Sequence, residues 1–275
     1  MQKYAYTASE WVKFGAVGLL ALLVYAPTFG WMYDRWMVEG SYYSHGPLVP
    51  LICAFLIWQQ RTKLAAMHYK GVRLGWVFFL SGLLIHLISS LWQVYFSSGF
   101  SLLLTVAGLV LLFLGRRFLR QAWFAVAFLV FMIPLPEVLI SNMSFRLKLF
   151  AASIATFAVN RMGIPAMRQG SVIQTQHAVL TVEDPCSGIR SLIALIALGA
   201  LMAHMSKLTR PKKIVLFAST LPIAILSNVV RIILLTVVSE IYGTEAAMGW
   251  FHDFTGFAVF AVAFLGLVLV SKMLE

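Results

Sequence analysis

The sequence predicts an all-α polytopic membrane protein: about eight transmembrane helices, with an outer interfacial helix and a small hairpin between the fifth and sixth. Three observations predict it. Of 275 residues, 61% are hydrophobic and 11% charged, more apolar surface than one water-soluble core of this size can hide. The apolar residues are gathered into long runs, and the basic residues are gathered into alternate loops between them. A disordered chain, a cytosolic enzyme and a secreted disulfide scaffold are excluded by the same composition. The net charge of +11 fits cytoplasmic loops facing anionic lipid; nucleic acid is not an expected partner, because no basic tract stands outside a short inter-helix loop.

The apolar runs cover residues 12–32, 47–60, 74–92, 95–115, 121–136, 186–205, 213–240 and 250–272. The second and fifth are short for a spanning helix and the seventh is long. The first run ends in Phe29, Gly30, Trp31, Met32 and Tyr33, which is no small-residue cleavage site, so it reads as a retained span. Lys3 and Lys13 precede the first run, Arg61, Lys63, Lys70 and Arg73 follow the second, Arg116, Arg117 and Arg120 follow the fourth, and Lys207, Arg210, Lys212 and Lys213 follow the sixth. Lys272 closes the eighth, while Asp34, Glu39, Glu137, Glu183, Asp184, Glu240, Glu245 and Asp253 occupy the other side. The positive-inside rule then puts both termini in the cytoplasm.

Residues 137–185 form a long outer loop in this scheme. It holds an apolar run, Leu147 to Val159, bounded by Arg146, Lys148 and Arg161. About 13 residues at 1.5 Å each give a helix of roughly 20 Å, too short to span, so an interfacial or re-entrant helix is expected. Ser171 to Val182 places β-branched and apolar arms around Gln174 to His177, the pattern of a hairpin. No repeat or linker interrupts residues 1–275, which read as one polytopic domain.

Polar groups inside apolar helices are costly, so the few present point to function. Asp184 and Pro185 read as a helix N-cap followed by proline in the first turn, which places Cys186 where the helix dipole favours a thiolate. Glu183 and Asp184 oppose that effect, and Arg190, four residues on, compensates it. A lone cysteine in such a place is otherwise a small packing residue, as Cys53 is expected to be in the middle of its apolar run. In the seventh run Asn228 and Arg231 share a helix face. Counted from Lys213, Arg231 lies roughly 27 Å along the helix, in its outer half. No span offers an Asp or Glu at that depth to pair with it. His252 starts the last run, with Gly256 one turn below on the same face. Cys186, Arg231 and His252 thus come from three helices and converge near the outer surface. Cysteine with histidine and a fixed cation is the set needed for nucleophilic acyl transfer.

The segments Tyr43-Ser44-His45-Gly46, Phe131-Met132-Ile133-Pro134-Leu135-Pro136, Gly163-Ile164-Pro165, Cys186-Ser187-Gly188-Ile189-Arg190, Asn228-Val229-Val230-Arg231 and His252-Asp253-Phe254-Thr255-Gly256 together resemble the exosortase/archaeosortase family. They stand in that family's order over about residues 40–260. The resemblance implies a membrane-embedded cysteine transpeptidase that cleaves a C-terminal sorting signal. In bacteria that signal typically contains Pro-Glu-Pro before a hydrophobic helix and a basic tail. It also implies a Gram-negative inner membrane, a link with exopolysaccharide export, and catalytic roles for Cys186, Arg231 and His252. A fused C-terminal periplasmic domain is not expected from this chain.

The expected partners are therefore the lipid bilayer and membrane-anchored protein substrates. Ser187, Gly188, Arg190 and Asn228 are supporting candidates. Tyr43 and His45, on the outer loop before the second run, are lip or structural residues. Arg146, Lys148, Arg161 and Arg168 lie on a side otherwise poor in basic residues, where they read a substrate carboxylate or contact lipid phosphate. No metal ion or cofactor is called for: there is no His-Glu-x-x-His and no Cys-x-x-Cys. The rival reading is a transporter or flippase in which Arg231 holds an anionic lipid headgroup and Cys186 is incidental.

Overall fold

A computed structural model describes residues 8–182 and 188–275. By its internal packing the chain divides into two compact units, one ending at Leu135 and the other starting at Pro136.

In the first unit α1 (Ala8–Val24) and α2 (Ala26–Met37) meet at Tyr25 with a bend of 59°, one apolar run broken ahead of Pro27. Then follow α3 (Leu48–Gln59), α4 (Arg61–Ala65), α5 (Leu74–Leu91), α6 (Tyr95–Phe113) and α7 (Gly115–Phe128). The α5 and α6 helices form the tightest pair. Gly82 permits it: a Cβ there would come within 2.8 Å of the Thr105 backbone nitrogen. Hydroxyl groups satisfy one another between the helices, as groups removed from water must. The Tyr25 Oη lies 2.8 Å from both Ser101 Oγ and Thr105 Oγ1, and Ser98 Oγ joins Thr28 at 2.6 Å and His86 Nδ1 at 2.7 Å. The run expected over 121–136 is not one helix. Its α-helical part stops at Phe128, a 3-10 turn covers Leu129–Met132, and Ile133 is extended ahead of Pro134, as the residue before a proline prefers.

The second unit contains α8 (Glu137–Arg161), strands β1 (Met167–Gln169), β2 (Val172–Gln174) and β3 (Val179–Thr181), then α9 (Ile189–Met205), α10 (Arg210–Tyr242), α11 (Thr244–Met248) and α12 (Trp250–Leu274). The expected hairpin is present as β2 and β3, with Ile173 opposite Leu180. The strand β1 pairs antiparallel with β2 and makes the sheet three-stranded. Two apolar clusters hold this unit. One joins Leu192 and Leu195 of α9, Ala224 of α10, and Ala263 and Leu267 of α12, with Leu147 packed against it. The other joins Ala151, Ala152 and Ala155 to Ile173, Leu180, Val229, Ile232 and Leu235. Contacts thus climb α8 and α10 together, so the two helices run in the same direction.

That packing corrects the expectation for residues 147–159. The helix has 25 residues rather than about 13 and is long and apolar enough to cross a membrane. Arg146 and Lys148 do not end it; Arg146 stands on an exposed face, where a long basic side chain can carry its charge away from an apolar stem. Among the described residues, five helices are long and apolar enough to cross, or six if the bent α1–α2 pair is one span; α3 and α9 are shorter apolar helices. The chain is thus an all-α multi-pass membrane protein with a small sheet, and eight full-length helices are not seen.

Candidate active site

The α10 helix carries the central polar residues of the second unit. Arg231 is half-buried on it, and one turn earlier Asn228 is only 6% exposed. The α12 helix brings His252 alongside. Arg231 Nη2 donates to the His252 carbonyl oxygen at 3.0 Å and lies 3.0 Å from His252 Nε2. A guanidinium has only donors, so Nε2 must accept and the ring proton belongs on Nδ1. Nδ1 in turn faces Asp253 Oδ1 at 3.3 Å. The imidazole is sheltered, with 16% of its side chain exposed, whereas the Asp253 side chain is 82% exposed. One charged residue therefore fixes both the backbone and the ring of His252.

Gly256 makes the pairing feasible. A Cβ there would sit 3.2 Å from Arg231 Nη2 and 3.6 Å from Cζ. The space that sequence spacing assigns to the imidazole is occupied by the guanidinium.

Cys186 and Ser187 lie outside the described residues, as do Glu183, Asp184 and Pro185. The described helix starts at Ile189, with Gly188 as its N-cap, and the Asp184-Pro185 helix start expected from sequence lies outside the described residues. Gly188 adopts φ +75°, a left-handed conformation that redirects the chain into α9 and that other residues adopt at a cost. It also touches α10 closely, since a Cβ there would lie 2.5 Å from Asn228 Cγ. The residue two positions after Cys186 is thereby held one helical turn from Arg231. Arg190, the second residue of α9, is half-buried.

A small open cleft lies beside Gly188. It is lined by Leu147 and Ala151 of α8, Gly188 and Leu192, and Ala224, Ile225 and Asn228 of α10.

Glu240 is a candidate for orienting His252 by sequence, but it serves the hairpin. It accepts from the His177 backbone N–H at 3.1 Å and from Nδ1 at 2.8 Å. This clamp ties the β2–β3 turn to the end of α10, and sequence reading misses it because residues 177 and 240 are 63 positions apart. Arg161 and Arg168 are exposed. The first lies over the Phe157 ring at 5.2 Å, and the second donates to the Gly170 carbonyl oxygen at 2.7 Å.

Tyr43 and His45 belong to the first unit. Tyr43 is buried, with 6% exposure, and its Oη accepts from the Leu135 N–H at 3.1 Å; it is a packed residue rather than an exposed lip. Burial pushes its phenol above the ordinary value and the His45 imidazole below its own, the latter opposed by a hydrogen bond with the Phe131 backbone. Trp36, near the end of α2, also holds this stretch: its Nε1 donates to the Met132 carbonyl oxygen at 2.9 Å. The Tyr-Ser-His-Gly and Ile-Pro-Leu-Pro motifs are thus two sides of one joint. Cys53 is buried in α3. Among the described residues no group of three or more His, Cys, Asp or Glu side chains could hold a metal ion.

No curated protein and no solved structure matches the chain. The family model described as transmembrane exosortase (Exosortase_EpsH) matches residues 36–269. That interval contains both loop motifs, the cysteine segment and the paired Arg231 and His252, and with most of its length matched the chain belongs to the transmembrane exosortase family.

Proposed function

We propose that the protein is a cysteine transpeptidase that processes the C-terminal sorting signal of membrane-anchored substrates at the outer face of a bacterial inner membrane. The observation that carries this reading is the Arg231–His252 pair, held one turn of α10 from the residue that follows the Cys186-Ser187 segment. In the reaction the Cys186 sulfur attacks a peptide carbonyl carbon and its proton passes to His252 Nε2, which exchanges its contact with Arg231 for the thiol. The Arg231 guanidinium then holds the tetrahedral oxyanion. Collapse breaks the C–N bond, His252 returns the proton to the leaving amine, and a thioester remains on Cys186. An amine or water attacks that thioester and releases the thiol.

The charge pattern supports cytoplasmic termini and an outer site reached by the ends of α10 and α12. In that topology the shorter apolar helices α3 and α9 cross as well. The exposed Arg161 and Arg168 are suited to the glutamate of a Pro-Glu-Pro signal.

The test is processing of a peptide carrying such a signal before a hydrophobic helix, by protein reconstituted in lipid. Cys186→Ala should abolish processing with membrane insertion intact, and Cys53→Ala should retain it. Activity surviving Cys186→Ala favours the transport reading, and equal loss from both changes removes the assignment of the nucleophile.

A further inference from the structure

The cleft between α8, α9 and α10 is apolar on every side but one. Leu147, Ala151, Leu192, Ala224 and Ile225 form its walls, and the Asn228 side chain is the polar exception. Asn228 as a residue is 6% exposed, and its amide lies against Gly188. It offers two donors and an acceptor to whatever enters. The cleft also runs from Asn228 toward Ala224, away from Arg231 along α10, and so leads from the paired Arg231 and His252 into the apolar layer.

An extended peptide at that depth has the complementary need. Its N–H and C=O groups have no water, and each must find a partner in the protein. We propose that this cleft is the subsite for the border of the substrate's membrane anchor: an aliphatic side chain enters between Leu147, Ala224 and Ile225, and the Asn228 amide bonds the peptide group that carries it. This rests on the transpeptidase reading for the identity of the ligand, and on the cleft itself for the rest. The small residues Ala151, Gly188 and Ala224 set the size limit. Asn228 is a binding residue here, one turn from Arg231, and the substrate is selected by the anchor's first residues as well as by its charged signal.

The experiment uses the full chain in lipid vesicles and a synthetic peptide with a Pro-Glu-Pro signal, a hydrophobic helix and a basic tail. In a peptide series, each of the first four helix residues is in turn Leu or Ala. Wild type should prefer Leu at one position, and Ala224→Leu should lose about tenfold on that peptide while staying within about twofold on its Ala counterpart. Equal loss on every peptide by a folded Ala224→Leu overturns the proposal. A photo-crosslinking residue in the Cys186→Ala background gives a readout free of turnover. Placed at Ile225 it should capture the peptide, whereas at the adjacent exposed Leu226 it should not. Capture at Ile225 without cleavage by wild type retains the subsite and rejects the transpeptidase reading. Cleavage with equal capture at both positions rejects the subsite and retains the enzyme, and absence of both rejects both.

Discussion

Arg231 donates through one nitrogen to two atoms of the same residue, the carbonyl oxygen and the Nε2 of His252. A lysine at this place keeps the charge and loses the planar fork. If Arg231 holds the oxyanion as proposed, Arg231→Lys should insert and fold but lose at least about tenfold in turnover, as removal of a directed donor does; near-normal turnover would leave only a generic positive charge. Gly256→Ala tests the same geometry from the other side. Its new methyl meets Nη2 at 3.2 Å, so turnover should fall while a thermal-shift assay in detergent changes little. Sequence alone singles out Arg231 and His252 as candidates, because polar groups in or beside an apolar run are conspicuous. It does not tell that they bond each other, nor that Gly256 serves the arginine, since spacing along one helix says nothing of the neighbour across from it.

Among the elements, the start of α9 is the most constrained. The described helix begins at Ile189, and Gly188 supplies the turn into it through its positive φ. Gly188→Ala should cost about 1–2 kcal/mol from the left-handed backbone, with the approach to Asn228 adding to it. The measurable outcome is a lower unfolding temperature and a lost reaction. Gly188→Ala combined with Asn228→Gly should recover only the steric part. The α8 helix was misread for a different reason. Arg146, Lys148 and Arg161 look like boundaries when charge is counted along the chain, yet only Arg161 ends the helix; Arg146 is exposed and Lys148 half-buried within it. The hairpin is legible from its alternation, whereas β1 (Met167–Gln169) is exposed throughout and shows no apolar alternation.

For the molecule as a whole, composition alone gives the class, and the apolar runs locate nearly every long helix. Helix breaks depend on prolines and local geometry, and the run over 121–136 hid one. Orientation is a property of the charge pattern. A Thr209→Cys variant in a cysteine-free background should resist an impermeant thiol reagent added outside intact cells, and Glu245→Cys should react. Reaction at Thr209→Cys would reverse the topology and place Arg231 on the other side.

The α10 helix has 33 residues, about 50 Å at 1.5 Å each, against a hydrocarbon layer of about 30 Å. Such a helix fits only by leaning or protruding, and its C-terminal end is tied to the hairpin through Glu240 and His177. The depth of Arg231 is therefore coupled to the angle at which the helix leans, and that angle follows the length of the surrounding acyl chains. Reconstituted in lipids of graded chain length, the enzyme should show a single optimum of turnover, with shorter and longer chains both lifting or sinking the guanidinium away from the scissile bond. The acyl composition of the host membrane would then act as a rheostat on protein sorting.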